Sequence, residues 1–227
     1  MTMGFYVPPE QLIKDRADFA RKGIARGRAI VALRFADGML LMGANPSGSL
    51  HKIGEIYDRI AFAGVGRFNE FETLRVAGIR YADLKGYSYG RTDVTGKGLA
   101  NAYSQTIGQI FTHENKPYEV EVLVAEVGED ADDDALFRVQ FDGTLRHEPD
   151  FAALGGKDDD LREHLAAAYG DADLDLAAAV ALVAEAIETV EENGTEPDDW
   201  EAAVLDRSLG RRKFRRLTAD EIAGARS

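Results

Sequence analysis

The sequence predicts an α/β fold of the α+β kind, with two stacked antiparallel sheets covered by helices on both outer faces. Three observations lead there. Short apolar runs come in pairs, two of them turned by Asp37-Gly38 and Asp142-Gly143; pairs of amphipathic helical stretches separate the blocks of strands; and no repeat at solenoid spacing is present. Hairpins in blocks with helix pairs between them fit a layered sandwich and not a wheel of βαβ units.

Pro8-Pro9 opens a stretch in which Leu12, Ile13, Ala17, Phe19 and Ala20 fall near helical spacing, and Gly23 closes it. Two apolar runs follow, 29–35 and 39–44, around Asp37-Gly38, a dipeptide suited to the positive φ angles of a tight hairpin. After the loop Asn45-Pro46-Ser47-Gly48-Ser49 comes a third strand over 59–65. Asn69 with Glu72 reads as a capping box ahead of Phe71, Leu74, Gly78 and Ala82. Leu99, Ala102, Tyr103, Thr106, Ile107, Ile110 and Phe111 mark a second helix by their i, i+3, i+4, i+7 stripe. Strands return over 118–127 and through the alternation of Phe137, Val139 and Phe141 with Arg138 and Gln140. A second helix pair covers 158–169, acidic at its start and ended by Gly170, and 174–192, stopped by Asn193-Gly194. Strands over 201–206 and 212–217 precede a short helix from Thr218, where Glu221 completes another capping box.

With 227 residues, 45% of them hydrophobic, the chain supports one substantial core and is short for two ordinary domains. Forty acidic against 27 basic residues leave a net charge of −13, which repels phosphate backbones and anionic bilayers, so neither nucleic acid nor membrane is an expected partner. The absence of cysteine excludes disulfides, thiolate metal sites and Cys nucleophiles. No signal peptide and no apolar run of spanning length is read, and the expected location is the cytoplasm.

Several local patterns carry no chemistry. Five residues rather than four separate Gly90 from Gly96-Lys97, and Gly98 stands where a phosphate loop needs Ser or Thr, so this stretch reads as a helix approach. The acidic run 129–134 lacks the glycine and bidentate Glu of a calcium loop and reads as a solvated hairpin tip. His51, His113, His147 and His164 show neither metal-ligand spacing nor a triad arrangement. Arg211, Arg212, Lys213, Arg215 and Arg216 around Phe214 are expected to blunt an edge strand or pair with neighbours. Tyr81, Tyr87, Tyr89 and Tyr103 are expected in core and subunit contacts.

The strings Gly23-Ile24-Ala25-Arg26, Asp37-Gly38-Met39-Leu40-Leu41, Glu55-Ile56-Tyr57-Asp58-Arg59, Phe68-Asn69-Glu70-Phe71 and Tyr89-Gly90-Arg91-Thr92-Asp93-Val94-Thr95-Gly96 resemble alpha-type subunits of actinobacterial 20S proteasomes. Ile110-Phe111-Thr112 and Lys116-Pro117-Tyr118-Glu119-Val120-Glu121 do so as well, and the similarity runs over about 5–217. The resemblance implies the four-layer αββα sandwich of N-terminal-nucleophile hydrolases with an extra N-terminal helix. It also implies stacked heptameric rings, in which beta subunits cleave peptides with an N-terminal threonine and homoheptameric alpha rings cap them without being catalytic.

A threonine that uses its own α-amine as base must be the first residue of the mature chain. By alignment from Asp37-Gly38, that position falls at or next to Arg28, no Thr lies between Met3 and Gly27, and the acidic partner's position falls at or next to Ala44. Only the lysine persists, as Lys52. A catalytic N-terminal-nucleophile subunit is the alternative that Arg28 opposes. The resemblance assigns Lys52 to a pocket between neighbouring alpha subunits that receives the C-terminal carboxylate of a ring-shaped ATPase activator's tail. It places Gly27 where the tail's backbone comes close, and divides the chain into a gate arm over 1–8, with Met3, Phe5, Tyr6, Val7 and Pro8, and a subunit domain over 9–227. No cofactor or metal is implied.

Overall fold

The computed structural model describes residues 8–170, 174–191, 195 and 199–226. It opens with helix α1 (Pro9–Ile24), whose first position is a proline, a residue that loses no hydrogen bond there. Strands β1 (Ile30–Phe35), β2 (Gly38–Ala44), β3 (Ile53–Tyr57) and β4 (Ile60–Gly66) follow, then helices α2 (Phe68–Ser88) and α3 (Gly96–His113). Strands β5 (Val120–Glu126), β6 (Ala135–Val139), β7 (Leu145–Glu148) and β8 (Phe151–Leu154) lead to helices α4 (Asp158–Ala168) and α5 (Leu176–Val190). Strands β9 (Trp200–Asp206) and β10 (Phe214–Arg216) and helix α6 (Ala219–Ala225) complete the order.

The strands form two five-stranded sheets, ordered β10-β9-β2-β1-β8 and β3-β4-β5-β6-β7, with every pairing antiparallel. Strand alternation divides the core into layers. On one face of the first sheet Val31, Leu33, Leu40 and Met42 pack with Leu161, Val183, Ile187 and Ile222 from α4, α5 and α6. Its other face, with Ile30, Ala32, Met39 and Leu41, meets Ala61, Ala63, Leu123 and Ala125 of the second sheet. The outer face of that sheet, through Phe62, Val122 and Val124, packs on Phe71, Leu74, Leu99, Tyr103 and Ile107 of α2 and α3. Helix α1 joins the middle layer through Ala20 and Ile24, while Leu12, Ile13 and Phe19 stay exposed. This is the expected sandwich with its additional helix.

The β1–β2 hairpin is closed by the pair Phe35↔Gly38. Only Gly38 takes a positive φ, +152°, and Asp37 does not; a Cβ at Gly38 would sit 1.9 Å from the Leu205 carbonyl oxygen, so the sheet itself requires glycine. The capping box at Thr218 and Glu221 is present. The one expected at Asn69 is not: α2 begins two residues earlier, Arg67 is its N-cap without a side-chain cap, and Glu72 turns to Arg75 at 2.7–2.8 Å. Phe68, held edge-on against Phe71 at 5.1 Å, draws Asn69 into the helix. Of the stripe on α3, Thr106 is exposed; Leu99, Tyr103 and Ile107 carry the burial.

Three strands lack a sequence expectation. The register of β3 shifts between Glu55 and Tyr57, which breaks its alternation, β7 is a polar edge strand, and β8 is only four residues long. Helix α5 starts two residues later than expected, at the cap where Asp175 Oδ1 accepts the Ala178 amide at 2.8 Å; its stop at Asn193-Gly194 lies outside the described residues. The acidic tip is solvated except at its end. Asp134 is buried, accepts the Gly128 amide at 2.9 Å and pairs with Arg207 at 2.8 and 3.0 Å. The basic cluster does clamp an edge: β10 and β3 are edge strands of different sheets, bridged by Arg212–Glu55, by the Lys213 amide to the Asp58 carbonyl and by Arg216 to the Ile53 carbonyl. Tyr103 is core, whereas Tyr87 and Tyr89 lie exposed.

Candidate functional site

The segment leading into β1, the end of β2 and the start of β3 converge where the alignment puts a nucleophile, its acid and its lysine. The Lys52 Nζ donates to the Ala44 carbonyl oxygen at 3.0 Å, so at the acid's position a backbone carbonyl meets the ammonium and no carboxylate does. Arg28, at or next to the position that the alignment gives the nucleophile, pairs with Glu191 at 3.4 Å, while Glu191 also accepts the Ala29 amide at 2.7 Å. An arginine there can neither attack a carbonyl nor be freed as an N-terminal residue that could, and this removes the catalytic alternative.

Burial pushes the Lys52 ammonium below the ordinary lysine range; the carboxylates of Glu201 and Glu191 oppose that fall, and Arg28 adds to it. The backbone around Lys52 is held as firmly as its tip. Its amide and that of Ile53 donate to Glu201 at 2.9 and 3.1 Å, and its carbonyl accepts the Gly64 amide at 3.1 Å.

Gly27 lies apart from the Lys52 side chain. It lines a cavity of about 400 Å³ with Phe19, Gly23, Arg26, Gly66, Arg67 and Glu119, and Lys52 is not among the residues lining it. The two are linked through β4, because Lys52 bonds at Gly64 and a Cβ on Gly27 would meet the Val65 side chain at 2.6 Å. That approach gives the glycine a packing reason of its own. Pro8 is exposed at the N-cap of α1, and Met3, Phe5, Tyr6 and Val7 lie outside the described residues.

Sequence reasoning missed Glu201, Glu191 and Asn45. The one available signal was an acid inside the apolar run Trp200-Glu201-Ala202-Ala203-Val204, since a buried carboxylate needs partners. Among the described residues no group of three or more His, Cys, Asp or Glu could hold a metal ion, and no helix is long and apolar enough to cross a membrane.

A family model described as "Proteasome subunit" matches residues 24–205. The proteasome subunit alpha of Kineococcus radiotolerans is 54% identical over 232 residues, covering 99% of this chain and 98% of that protein. That of Thermomonospora curvata is 54% identical over 223 residues, with 98% and 96% covered, and that of an Arthrobacter species 53% identical over 229 residues, with 98% and 97% covered. With the model spanning most of the fold and these relatives nearly all of the chain, the protein belongs to the proteasome subunit family, on its alpha branch.

Proposed function

We propose that this chain, a non-catalytic outer-ring subunit of a proteasome core, controls substrate entry with the arm over 1–8 and receives the C-terminal carboxylate of a ring-shaped ATPase's tail at Lys52. Copies of the chain form a homoheptameric ring that caps rings of threonine-type beta subunits in the cytoplasm. The observation carrying this reading is the remnant site: Lys52 keeps its charge group beside a carbonyl, with Arg28 and Ala44 in place of the groups that peptide cleavage requires. A lysine released from catalysis is suited as a point charge to binding a carboxylate. The exposed Leu12, Ile13 and Phe19 on α1 are suited to contact with a neighbouring copy.

The purified chain is expected to cleave no peptide and to retain its N-terminus apart from loss of the initiator methionine, as read by intact mass. Mixed with its beta partner it should elute from gel filtration as a very large two-component particle. Autocatalytic loss of the first 27 residues with threonine-protease activity would overturn the reading.

Removal of residues 1–7 is expected to leave that particle assembled and to speed its hydrolysis of small fluorogenic peptides. An apolar arm from each symmetric copy closes an axial pore by packing with the others, at little cost to the folded body. Equal turnover by truncated and full-length particles would show that the arm is not the gate.

A further inference from the structure

Glu201 stands on β9 opposite Gly43 of β2 and is 8% exposed. Its carboxylate accepts four hydrogen bonds: Asn45 Nδ2 at 2.6 Å, the Lys52 amide at 2.9 Å, the Ile53 amide at 3.1 Å and the Arg216 guanidinium at 3.0 Å. His51 Nδ1 lies 3.4 Å away. Asn45, Lys52 and Ile53 come from the two ends of the loop that joins β2 to β3, and Arg216 from β10. Asn45 at the loop's entry is tied to its far side as well, through Nδ2 to the Leu50 carbonyl at 2.8 Å, and Ala44 just before it accepts the Lys52 ammonium at 3.0 Å. The loop is therefore closed twice, once by the Glu201 carboxylate and once by the Lys52 side chain. A carboxylate that only balanced Arg216 would need neither backbone amide.

We propose that Glu201 is the positioning residue for Lys52, one carboxylate fixing both ends of the 45–53 loop and so setting where the ammonium stands and which charge stands near it. The inference deepens the docking reading of Lys52 and rests on it for its consequence, not for its geometry. The charged groups facing Lys52 are Glu201, Glu191 from the end of α5 and Arg28 from the segment before β1; His51 and Arg216 face Glu201 itself. Of these, Glu201 is the leading influence that favours the ammonium against its burial.

The test uses the full chain assembled with its beta partner. Acetic anhydride reacts with the neutral amine alone, so the rate of Lys52 acetylation at pH 8, measured by peptide mass spectrometry against the exposed Lys14 in the same chain, reports how well the site holds the charge. Glu201→Gln keeps the shape and removes the charge, and Lys52 is expected to react at least about 10-fold faster relative to Lys14. Glu201→Asp, which withdraws the carboxylate by one methylene, gives the same comparison with a smaller rise if the Gln variant does not assemble. An unchanged ratio in whichever variant assembles overturns the proposal. A second arm measures binding of a free-carboxylate peptide ending in the last ten residues of the ATPase. The expected result is affinity at least about 10-fold weaker in Glu201→Gln. Normal affinity there, with affinity lost in Lys52→Ala, overturns the positioning role; normal affinity in Lys52→Ala sinks the docking reading and leaves the acetylation result to judge Glu201.

Discussion

Replacing Arg207 with alanine is expected to destabilise the isolated chain by about 3 kcal/mol, the lower end of what removing one partner of a buried ion pair costs. The Asp134 side chain is 1% exposed and receives both arms of the Arg207 guanidinium at 2.8 and 3.0 Å. The same guanidinium donates to the Gly128 carbonyl at 3.2 Å, so a single side chain on the β9–β10 turn ties together the loop between β5 and β6. Without it, Asp134 keeps the Gly128 amide and a looser contact to Arg34 at 3.8 Å, which is why the lower end of the range applies. For a chain of this size each kcal/mol moves Tm by about 2–4 °C, so a drop of roughly 6–12 °C is expected by calorimetry. The double variant Asp134→Asn with Arg207→Met, which removes both charges of the close pair and costs only the looser Arg34 contact, should recover most of that drop. A single variant that melts within about 1 °C of the parent would show that water or Arg34 already satisfies Asp134.

That pair illustrates what the sequence conceals. Period and punctuation made most elements legible: the stripe of Phe71, Leu74, Gly78 and Ala82 is the buried face of α2, and the Thr218 capping box needs only four consecutive residues to be seen. The strands that escaped reading are those whose stability comes from a partner and not from their own pattern. Polar β7 holds its place by pairing with β6, and β3 is bent by its register shift. Long-range polar contacts are hidden for the same reason. Asp134 looks like the last of a run of solvated acids until Arg207, 73 residues on, is folded against it. At the remnant site the alignment from Asp37-Gly38 gave the positions at or next to Arg28 and Ala44, because strand register carries position along β1 and β2 residue by residue, and Lys52 came from its place ahead of Glu55-Ile56-Tyr57-Asp58-Arg59. Nothing in the spacing could place Glu201, which reaches Lys52 across 149 residues.

Replacing Lys52 with alanine is expected to weaken binding of the ATPase's terminal peptide by roughly 10- to 150-fold, the loss of one hydrogen bond to a charged group at about 1.5–3 kcal/mol. Among the described residues the Lys52 ammonium donates to one acceptor, the neutral Ala44 carbonyl, and a tail carboxylate would supply an opposite charge that burial makes valuable. Several tails engaging one ring would multiply the effect on the intact activator. The pH dependence has a definite sign. Burial lowers the Lys52 pKa from its ordinary 10.5, and a bound carboxylate favours the protonated form, so the proposed docking is expected to be strongest below the lowered pKa and to fade as pH rises through it, earlier than an exposed lysine would allow. Ring assembly and cleavage of small peptides should be nearly unchanged, since neither uses the ammonium. If Lys52 instead only braces its loop, the alanine variant will bind the peptide normally and show its defect in Tm or in assembly on native gels. Surface plasmon resonance with the terminal peptide across pH 7 to 10, beside those gels, separates the two.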